Sequence, residues 1–182
     1  METKQDIRNR VLKLRNNLSK KEWEEKSQKI VENVTAHPVF LSAEEIYCYV
    51  DFRNEVGTKR LIEKCWEMNK KVAVPRIEGS KMEFYYIKSW SDVRSGHWGI
   101  LEPYTDQRAE ANLACVITPG AVFDKCRNRI GYGRGYYDTY LYNHPSYNTI
   151  ALAFDLQILD DIPFEEHDIR PQMIITEEHI YV

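Results

Sequence analysis

Three glycines, Gly131, Gly133 and Gly135, alternate with other residues between two segments of different character. Residues 113–118 before them are apolar and β-branched like a buried strand, whereas residues 136–143 after them are aromatic and compatible with a helix. Alternating glycines let consecutive backbone N–H groups turn toward one point without interference from Cβ atoms. A strand, a glycine loop and a helix start together form the geometry that binds phosphate. The run therefore predicts an α/β fold with a phosphate-binding loop.

Charged residues accompany this loop. Arg129 and Arg134 bracket it with positive charge, and Asp138 follows it, where a carboxylate can hold Mg²⁺ against phosphate oxygens. A tight turn without a ligand explains a Gly-x-Gly-x-Gly run equally well when the run is considered alone. The run is not a Walker A loop, because no Gly-Lys-Ser/Thr follows, and its third glycine comes one residue too early for a dinucleotide fingerprint. The arginines and the Tyr-Tyr-Asp that follows favour a phosphate site.

The composition indicates one globular domain over residues 1–182. The chain is 43% hydrophobic and 29% charged, which is ordinary for such a domain. A net charge of −3 gives no general attraction to nucleic acid or to an anionic membrane. No apolar run approaches the ~20 residues that span a bilayer. We therefore expect neither nucleic acid nor membrane as a partner. The four cysteines show no C-x-x-C pair and no metal-ligand spacing, so we expect free thiols and a cytoplasmic location.

Helical and strand patterns alternate along the chain. Thr3 with Asp6 and Ser19 with Glu22 match capping boxes of two N-terminal helices, the second running to about His37 and closed by Pro38. A further helix is predicted over residues 58–69, and strands are predicted over residues 45–50, 71–75, 82–87, 113–118, 149–154 and 173–176. Residues 89–112 are interpreted as a long surface excursion. This order predicts an α/β fold in which helices flank a mostly parallel sheet, as one compact, three-layer-like domain.

Ligands of open α/β sheets bind beyond the carboxyl ends of the strands, where residues 51–58, residues 95–103 and the glycine run are the candidate loops. Glu55 is either a solvated loop charge or a carboxylate that accepts hydrogen bonds from an amine-rich ring. Lys4 and Arg8, one helical turn apart, are either a solvated face or a pair of cations that reach phosphates or a ligand carboxylate. Asp168 is either a turn carboxylate or part of the site. No Ser-His-Asp or Cys-His pattern is readable.

At the glycine run the chain resembles the 5-formyltetrahydrofolate cyclo-ligases, also called methenyltetrahydrofolate synthetases. The matching residues of the central block are Pro119, Gly120, Phe123, Asp124, Arg129, Ile130, Gly131, Gly133, Gly135, Tyr136, Tyr137 and Asp138. The resemblance extends over nearly the whole chain, through Lys4, Arg8, Glu55, Thr58, Val74, Pro75, Arg76, Gly99, Ile100, Glu102, Pro103, His167 and Asp168. Two positions depart from the family pattern: Arg127 stands where glycine is common, and Gly57 where an acidic residue is common.

The resemblance implies an ATP- and Mg²⁺-dependent ligase of folate one-carbon metabolism, which converts 5-formyltetrahydrofolate to 5,10-methenyltetrahydrofolate. It implies Arg134 and Tyr136 as catalytic residues and Asp138 and Asp168 as Mg²⁺ ligands. It implies that the folate contacts Arg8, Val50, Glu55 and Tyr136. The ATP site that it implies consists of Lys4, Arg8, Arg129, Ile130, Gly131, Tyr132, Gly133, Arg134, Gly135, Tyr136 and Tyr137. We expect a monomer that acts on a small molecule. A regulatory relative that binds nucleotide or folate without turnover, and a phosphoryl-transfer enzyme with an unrelated substrate, are the alternatives.

Overall fold

The computed structural model describes residues 2–182. Its helices are α1 (Lys4–Asn16), α2 (Lys20–Thr35), α3 (Pro38–Ser42), α4 (Lys59–Glu67) and α5 (Tyr136–Asn143). The first six strands are β1 (Glu45–Cys48), β2 (Lys71–Glu78), β3 (Lys81–Ile87), β4 (Val93–Ser95), β5 (Leu101–Pro103) and β6 (Cys115–Thr118). The remaining strands are β7 (Val122–Asp124), β8 (Arg129–Ile130), β9 (Asn148–Leu152), β10 (Ile158–Leu159), β11 (Met173–Ile175) and β12 (Ile180–Tyr181).

Seven strands form the central sheet in the order β12-β11-β9-β6-β1-β2-β3. The five inner strands run parallel to their neighbours, and only the edge strands β3 and β12 pair antiparallel. Side chains of β1 alternate between the two faces: Ile46 and Cys48 belong to the core under α2 and α4, whereas Tyr47 belongs to the core under α5. Helices therefore cover both faces of a mostly parallel sheet, and the predicted fold class is confirmed.

Both predicted capping boxes are present, at Thr3 with Asp6 and at Ser19 with Glu22. The role predicted for Pro38 is wrong. Helix α2 already ends at Thr35, and Pro38 occupies the first turn of α3. Proline suits that position because its fixed φ is helical and its missing N–H would have no partner there.

The interpretation of residues 89–112 as an irregular excursion is only partly right. Strands β4 and β5 form an antiparallel hairpin within it, and Tyr85 pairs with Arg108 beside the edge strand β3. No pattern in the sequence indicated the second sheet, whose strand order is β10-β7-β8. Ile7 and Val11 of α1 pack against this sheet. These strands are two or three residues long, too short for a hydrophobic period to be visible. Within residues 2–182, no helix combines the length and apolarity needed to cross a membrane.

Candidate active site

A cavity of about 780 Å³ opens beyond the carboxyl ends of β1, β2 and β6. Its wall is built by α1, the loop of residues 51–58, the β4–β5 hairpin, the glycine loop of residues 131–135, and residues 165–168. Every residue that the sequence assigned to a site lies on this wall: Lys4, Arg8, Val50, Glu55, Arg129, Ile130, Gly131, Tyr132, Gly133, Arg134, Gly135, Tyr136, Tyr137, Asp138 and Asp168. The parallel sheet brings these distant segments together because all of the inner strands end at one edge.

The glycine loop joins β8 to α5, as the strand–loop–helix pattern predicted. Gly133 and Gly135 have φ values of +91° and +66°, a left-handed region that glycine adopts without strain. Gly135 precedes α5 without a side-chain cap, so the first N–H groups of this helix are free to bind an anion. On the other side of the loop, the Arg8 Nε donates to the Gly131 carbonyl over 2.8 Å.

Arg129, one of the two arginines that bracket the loop in the sequence, is buried and paired within the protein. Only 8% of the residue is exposed, and its Nη2 donates to Asp138 Oδ1 at 2.9 Å. Its Nη1 donates to the Pro119 carbonyl at 3.2 Å, and the Ile169 N–H donates to the same Asp138 oxygen at 3.0 Å. Arg129 therefore fixes the loop from below, and its charge is compensated inside the protein.

Arg134, in contrast to Arg129, is exposed within the glycine loop. Its guanidinium carbon lies 5.3 Å from the centre of the Trp98 ring, which the β4–β5 hairpin presents. Such a contact is weak at an exposed site, about 0.5–1 kcal/mol. Arg134 can therefore turn toward a phosphate without the fold losing an essential contact. The sequence did not single out Trp98, although it lies in one of the three candidate loops.

Lys4 and Asp168 form an ion pair on the cavity wall, with Nζ and Oδ2 2.7 Å apart, and Lys4 also pairs with Glu165 at 3.1 Å. Partial burial opposes ionisation of both groups, but the Lys4 ammonium holds the pKa of Asp168 below its usual value. The reciprocal hydrogen bond raises the pKa of Lys4 despite its burial. The pair thus keeps a carboxylate and an ammonium charged on the cavity wall near neutral pH.

The two candidate metal ligands fit a magnesium ion held mainly by a ligand's phosphates. Asp138 Oδ1 and Asp168 Oδ2 are engaged by protein donors, whereas the second oxygen of each carboxylate accepts no hydrogen bond within residues 2–182. Residues 2–182 contain no cluster of three His, Cys, Asp or Glu side chains with metal-binding geometry. Mg²⁺ is commonly bound by one or two carboxylates together with substrate phosphates, so two carboxylates suffice.

Glu55 lies in a loop that several hydrogen bonds hold in place. Its Oε2 accepts the Phe52 N–H at 2.8 Å, and its carbonyl accepts the Trp23 Nε1–H at 2.7 Å. Burial raises the pKa of Glu55 to about 7, against the opposing effects of the Phe52 N–H, the Tyr132 hydroxyl and the Arg15 charge. A half-buried carboxylate that titrates near neutrality is an unusual loop charge, which favours the ligand-binding interpretation.

Sequence reasoning missed Arg15, which is only 3% exposed and lies on the cavity wall. Its Nη1 donates to the Tyr132 hydroxyl at 2.8 Å, and its Nη2 donates to the Arg53 carbonyl at 3.1 Å. A signal was present, because Arg15 lies seven residues after Arg8 and hence on the same helical face.

The two departures from the family pattern have local explanations. Arg127 has a φ of +67°, so the turn before Arg129 keeps the left-handed conformation that a glycine would adopt. A Cβ at Gly57 would lie 3.0 Å from the Trp23 ring, so glycine allows that indole to pack against the loop. Neither change displaces a residue from the cavity wall.

Fold and cavity define an α/β protein with a large cavity at the carboxyl edge of a mostly parallel sheet and a glycine loop on the cavity wall. A model of the 5-formyltetrahydrofolate cyclo-ligase family matches residues 1–177. The 5-formyltetrahydrofolate cyclo-ligase of Mus musculus is 31% identical over 176 residues, which cover 88% of this chain and 87% of that protein. The protein of the same name from Escherichia coli K12 is 27% identical, covering 90% and 94% of the two chains. The solved structure of Aquifex aeolicus 5,10-methenyltetrahydrofolate synthetase superposes with a TM-score of 0.87 at 28% identity, covering 97% of this chain and 91% of that one. The chain belongs to the 5-formyltetrahydrofolate cyclo-ligase family, and it is an enzyme of the ligase class.

Proposed function

We propose that this protein converts 5-formyltetrahydrofolate to 5,10-methenyltetrahydrofolate. The reaction consumes ATP, requires Mg²⁺, and releases ADP and phosphate. One observation carries the proposal: the glycine loop with its cations and the Glu55 loop face the same cavity. The first can bind phosphates and the second a nitrogen-rich ring. The names of the relatives and of the Aquifex aeolicus structure agree with this substrate.

The chemistry explains why the site contains cations and hydrogen-bonding groups rather than a nucleophile. A formamide carbon is a poor electrophile, and its oxygen is a poor leaving group. Transfer of the γ-phosphoryl group of ATP to that oxygen corrects both defects. The folate N10 then attacks the formyl carbon and loses its proton, and the C–O bond breaks as phosphate leaves. The protein has to orient two ligands and neutralise phosphate charge.

The nucleotide phosphates are assigned to the glycine loop. Its N–H groups and the uncapped start of α5 provide donors, and Arg134 supplies a charge that can fold over the transferring group. Lys4 and Arg8 line the same cavity from α1, where Arg8, hydrogen-bonded to the Gly131 carbonyl, would also contact the folate. Arg129 acts indirectly, because its guanidinium is already paired with Asp138.

The folate is assigned to the wall formed by Val50, Glu55 and Tyr136. The Glu55 carboxylate accepts hydrogen bonds from pterin nitrogens and thereby orients the formyl group toward the phosphates. Tyr136 stands at the junction, since it begins α5 immediately after the glycine loop. Asp138 and Asp168 are the residues that would hold Mg²⁺, which would supply charge neutralisation of the phosphates.

The proposal is tested by mixing the protein with folinic acid, ATP and Mg²⁺ and recording the absorbance of the methenyl product. We expect product only when all three are present, with one ADP formed for each methenyl group. Parallel samples without ATP, and with the metal chelated, are the controls. Product formation that continues without ATP would refute the ligase chemistry. Binding of both ligands without product would instead indicate the regulatory alternative, and ATP consumption without folate would indicate another substrate.

A further inference from the structure

Arg15 is a buried cation that forms no hydrogen bond to a carboxylate within residues 2–182, although its charge acts on the nearby Glu55. Only 3% of the residue is exposed, and its hydrogen-bond acceptors within residues 2–182 are the neutral Tyr132 hydroxyl and the neutral Arg53 carbonyl. Its Nε is buried and has no acceptor within the same residues. Removing a guanidinium from water costs free energy that neutral acceptors offset only in part. Buried charged groups can often be replaced by apolar side chains without loss of stability, so a role beyond stability is to be sought for Arg15, which lines the cavity.

The two acceptors belong to the two loops that bind different ligands under the proposed function. Tyr132 lies in the glycine loop, between Gly131 and Gly133, and Arg53 lies in the loop of residues 51–58 that carries Glu55. Arg15 therefore joins the nucleotide wall of the cavity to the folate wall through one rigid, forked group. The guanidinium suits this task because its donors point in fixed, divergent directions.

The loop of residues 51–58 contains a segment whose backbone the contact with Arg15 can restrain. Arg53 and Asn54 adopt left-handed conformations, with φ values of +46° and +56°. Both residues are exposed, and the anchors made by Trp23 and Ser27 hold only the far side of the loop, at Glu55 and Gly57. The Arg53 carbonyl is the point at which α1 holds the near side.

We propose that Arg15 is a positioning residue that couples the two ligand sites, so that nucleotide on the glycine loop raises the affinity of the loop of residues 51–58 for folate. The inference rests on the proposed function, because it assigns one ligand to each loop. Nucleotide binding orders Tyr132, Tyr132 orients Arg15, and Arg15 fixes the Arg53 carbonyl and with it the position of Glu55. Linkage makes the effect reciprocal, so folate raises nucleotide affinity by the same factor. The charge of Arg15 also opposes the effect of burial on the pKa of Glu55.

The test compares three variants with the parent protein. Tyr132→Phe keeps the ring but removes the hydroxyl that accepts from Arg15. Arg15→Met removes the bridge while keeping a flexible side chain of similar length. Arg10→Met is the matched control, since Arg10 lies on the same helix but is exposed and pairs with Glu2. The affinity for folinic acid is measured by calorimetry with and without a saturating, non-hydrolysable ATP analogue and Mg²⁺.

The ratio of the two folinic acid affinities is the coupling factor. We expect the parent and Arg10→Met to show a factor of about five or more, and Tyr132→Phe and Arg15→Met to approach one. Backbone amides of residues 52–55 should also exchange hydrogen faster in the two bridge variants than in the parent without ligands. If Arg15→Met does not fold, Tyr132→Phe still decides the result, because its ring packing is unchanged.

Two failures are distinguishable. A parent protein that makes methenyl product but shows no coupling, or a Tyr132→Phe variant that keeps the parental coupling factor, overturns the role of Arg15 and leaves the proposed function intact. A parent that binds both ligands cooperatively but makes no product refutes the proposed function and leaves the bridge supported. Faster hydrogen exchange of residues 52–55 in the two bridge variants, with an unchanged coupling factor, also overturns the proposal. Arg15 would then make a purely structural contact.

Discussion

The Arg129 guanidinium and the Asp138 carboxylate are joined by a 2.9 Å ion pair beneath the glycine loop. Arg129 belongs to the strand before the loop and Asp138 to the first turn of the helix after it. The pair therefore closes the loop at its base and fixes the distance between its ends. Asp138 consequently has two tasks, one toward Arg129 and one toward the proposed metal, and experiments on it must separate the two.

Asp138→Asn should lower both stability and metal affinity. Loss of the charge-assisted contact leaves Arg129 poorly paired, and we expect a decrease of about 1.5–3 kcal/mol in the free energy of unfolding. Turnover should recover in part at raised Mg²⁺. Asp168→Asn is the comparison, because its partner Lys4 is partly exposed and the stability loss should be about 1 kcal/mol or less. For both variants, urea titrations measure the free energy of unfolding, and the Mg²⁺ dependence of turnover measures the metal requirement. Unchanged Mg²⁺ dependence in both variants would contradict the metal assignment.

Gly133→Ala should weaken ATP binding. Its φ of +91° is strained for alanine, and the added Cβ would lie 3.6 Å from Arg8 Nη1, on the face where phosphate is expected. We expect the free loop of the variant to relax away from this left-handed conformation, so that nucleotide binding has to restore it at a cost of about 1–2 kcal/mol, or roughly tenfold in affinity. Gly79→Ala is the matched control, since its φ is +61°, nothing lies within 4 Å and the residue is outside the cavity. It should cost stability without changing the ATP affinity measured by calorimetry.

Arg134→Ala should reduce turnover and leave the fold intact. The side chain contributes only the contact with Trp98, so the melting temperature should remain close to the parental value. Loss of a phosphate-facing arginine should lower kcat about a hundredfold or more. Arg94→Ala provides the control: Arg94 stacks on Tyr104 at 5.5 Å and does not line the cavity. Equal steady-state kinetics of these two variants would remove Arg134 from the catalytic assignment.

Glu55→Gln should weaken folinic acid binding by roughly tenfold or more and leave ATP binding nearly unchanged, because a charge-assisted hydrogen bond contributes about 1.5–3 kcal/mol. In the parent, the affinity for folinic acid should rise as the pH increases toward 7, where Glu55 ionises, and then level off. The variant should lack this dependence. Calorimetry between pH 5.5 and 8.5 is the measurement. Equal affinities at pH 8 would make Glu55 a loop charge only.

Without ligand, ionisation of the same Glu55 carboxyl should have the opposite effect: it should lower the stability of the folded protein. Its pKa is 4.5 in the unfolded chain and about 7 in the folded protein, so the folded state binds the proton more tightly. The contribution of the protonated Glu55 carboxyl to the free energy of unfolding is complete below pH 4.5. It is lost as the pH rises through 7, by up to about 3 kcal/mol. Glu55→Gln should therefore gain stability relative to the parent as the pH is raised across this range. Denaturant titrations at pH 5 and pH 8 measure the change, and a constant difference would refute it.

The sequence determined the local structure and the chemical character of the site. Capping boxes at Thr3 and Ser19 and the glycine run before Tyr136 act through neighbours in the chain, so they were readable without the fold. The parallel sheet followed from alternating helix and strand patterns. A single domain over residues 1–182, a monomeric state and a cytoplasmic location remain predictions.

Tertiary structure alone decided which of these residues meet. The short strands of the second sheet and the hairpin that presents Trp98 exist because neighbouring elements pair with them, and two or three residues carry no period of their own. The pairing of Arg129 with Asp138, the burial of Arg15 between two loops and the raised pKa of Glu55 depend on contacts across the fold. Desolvation and ion pairing are properties of a position in space, which is why the sequence supplied the charges but only the folded chain assigned their partners.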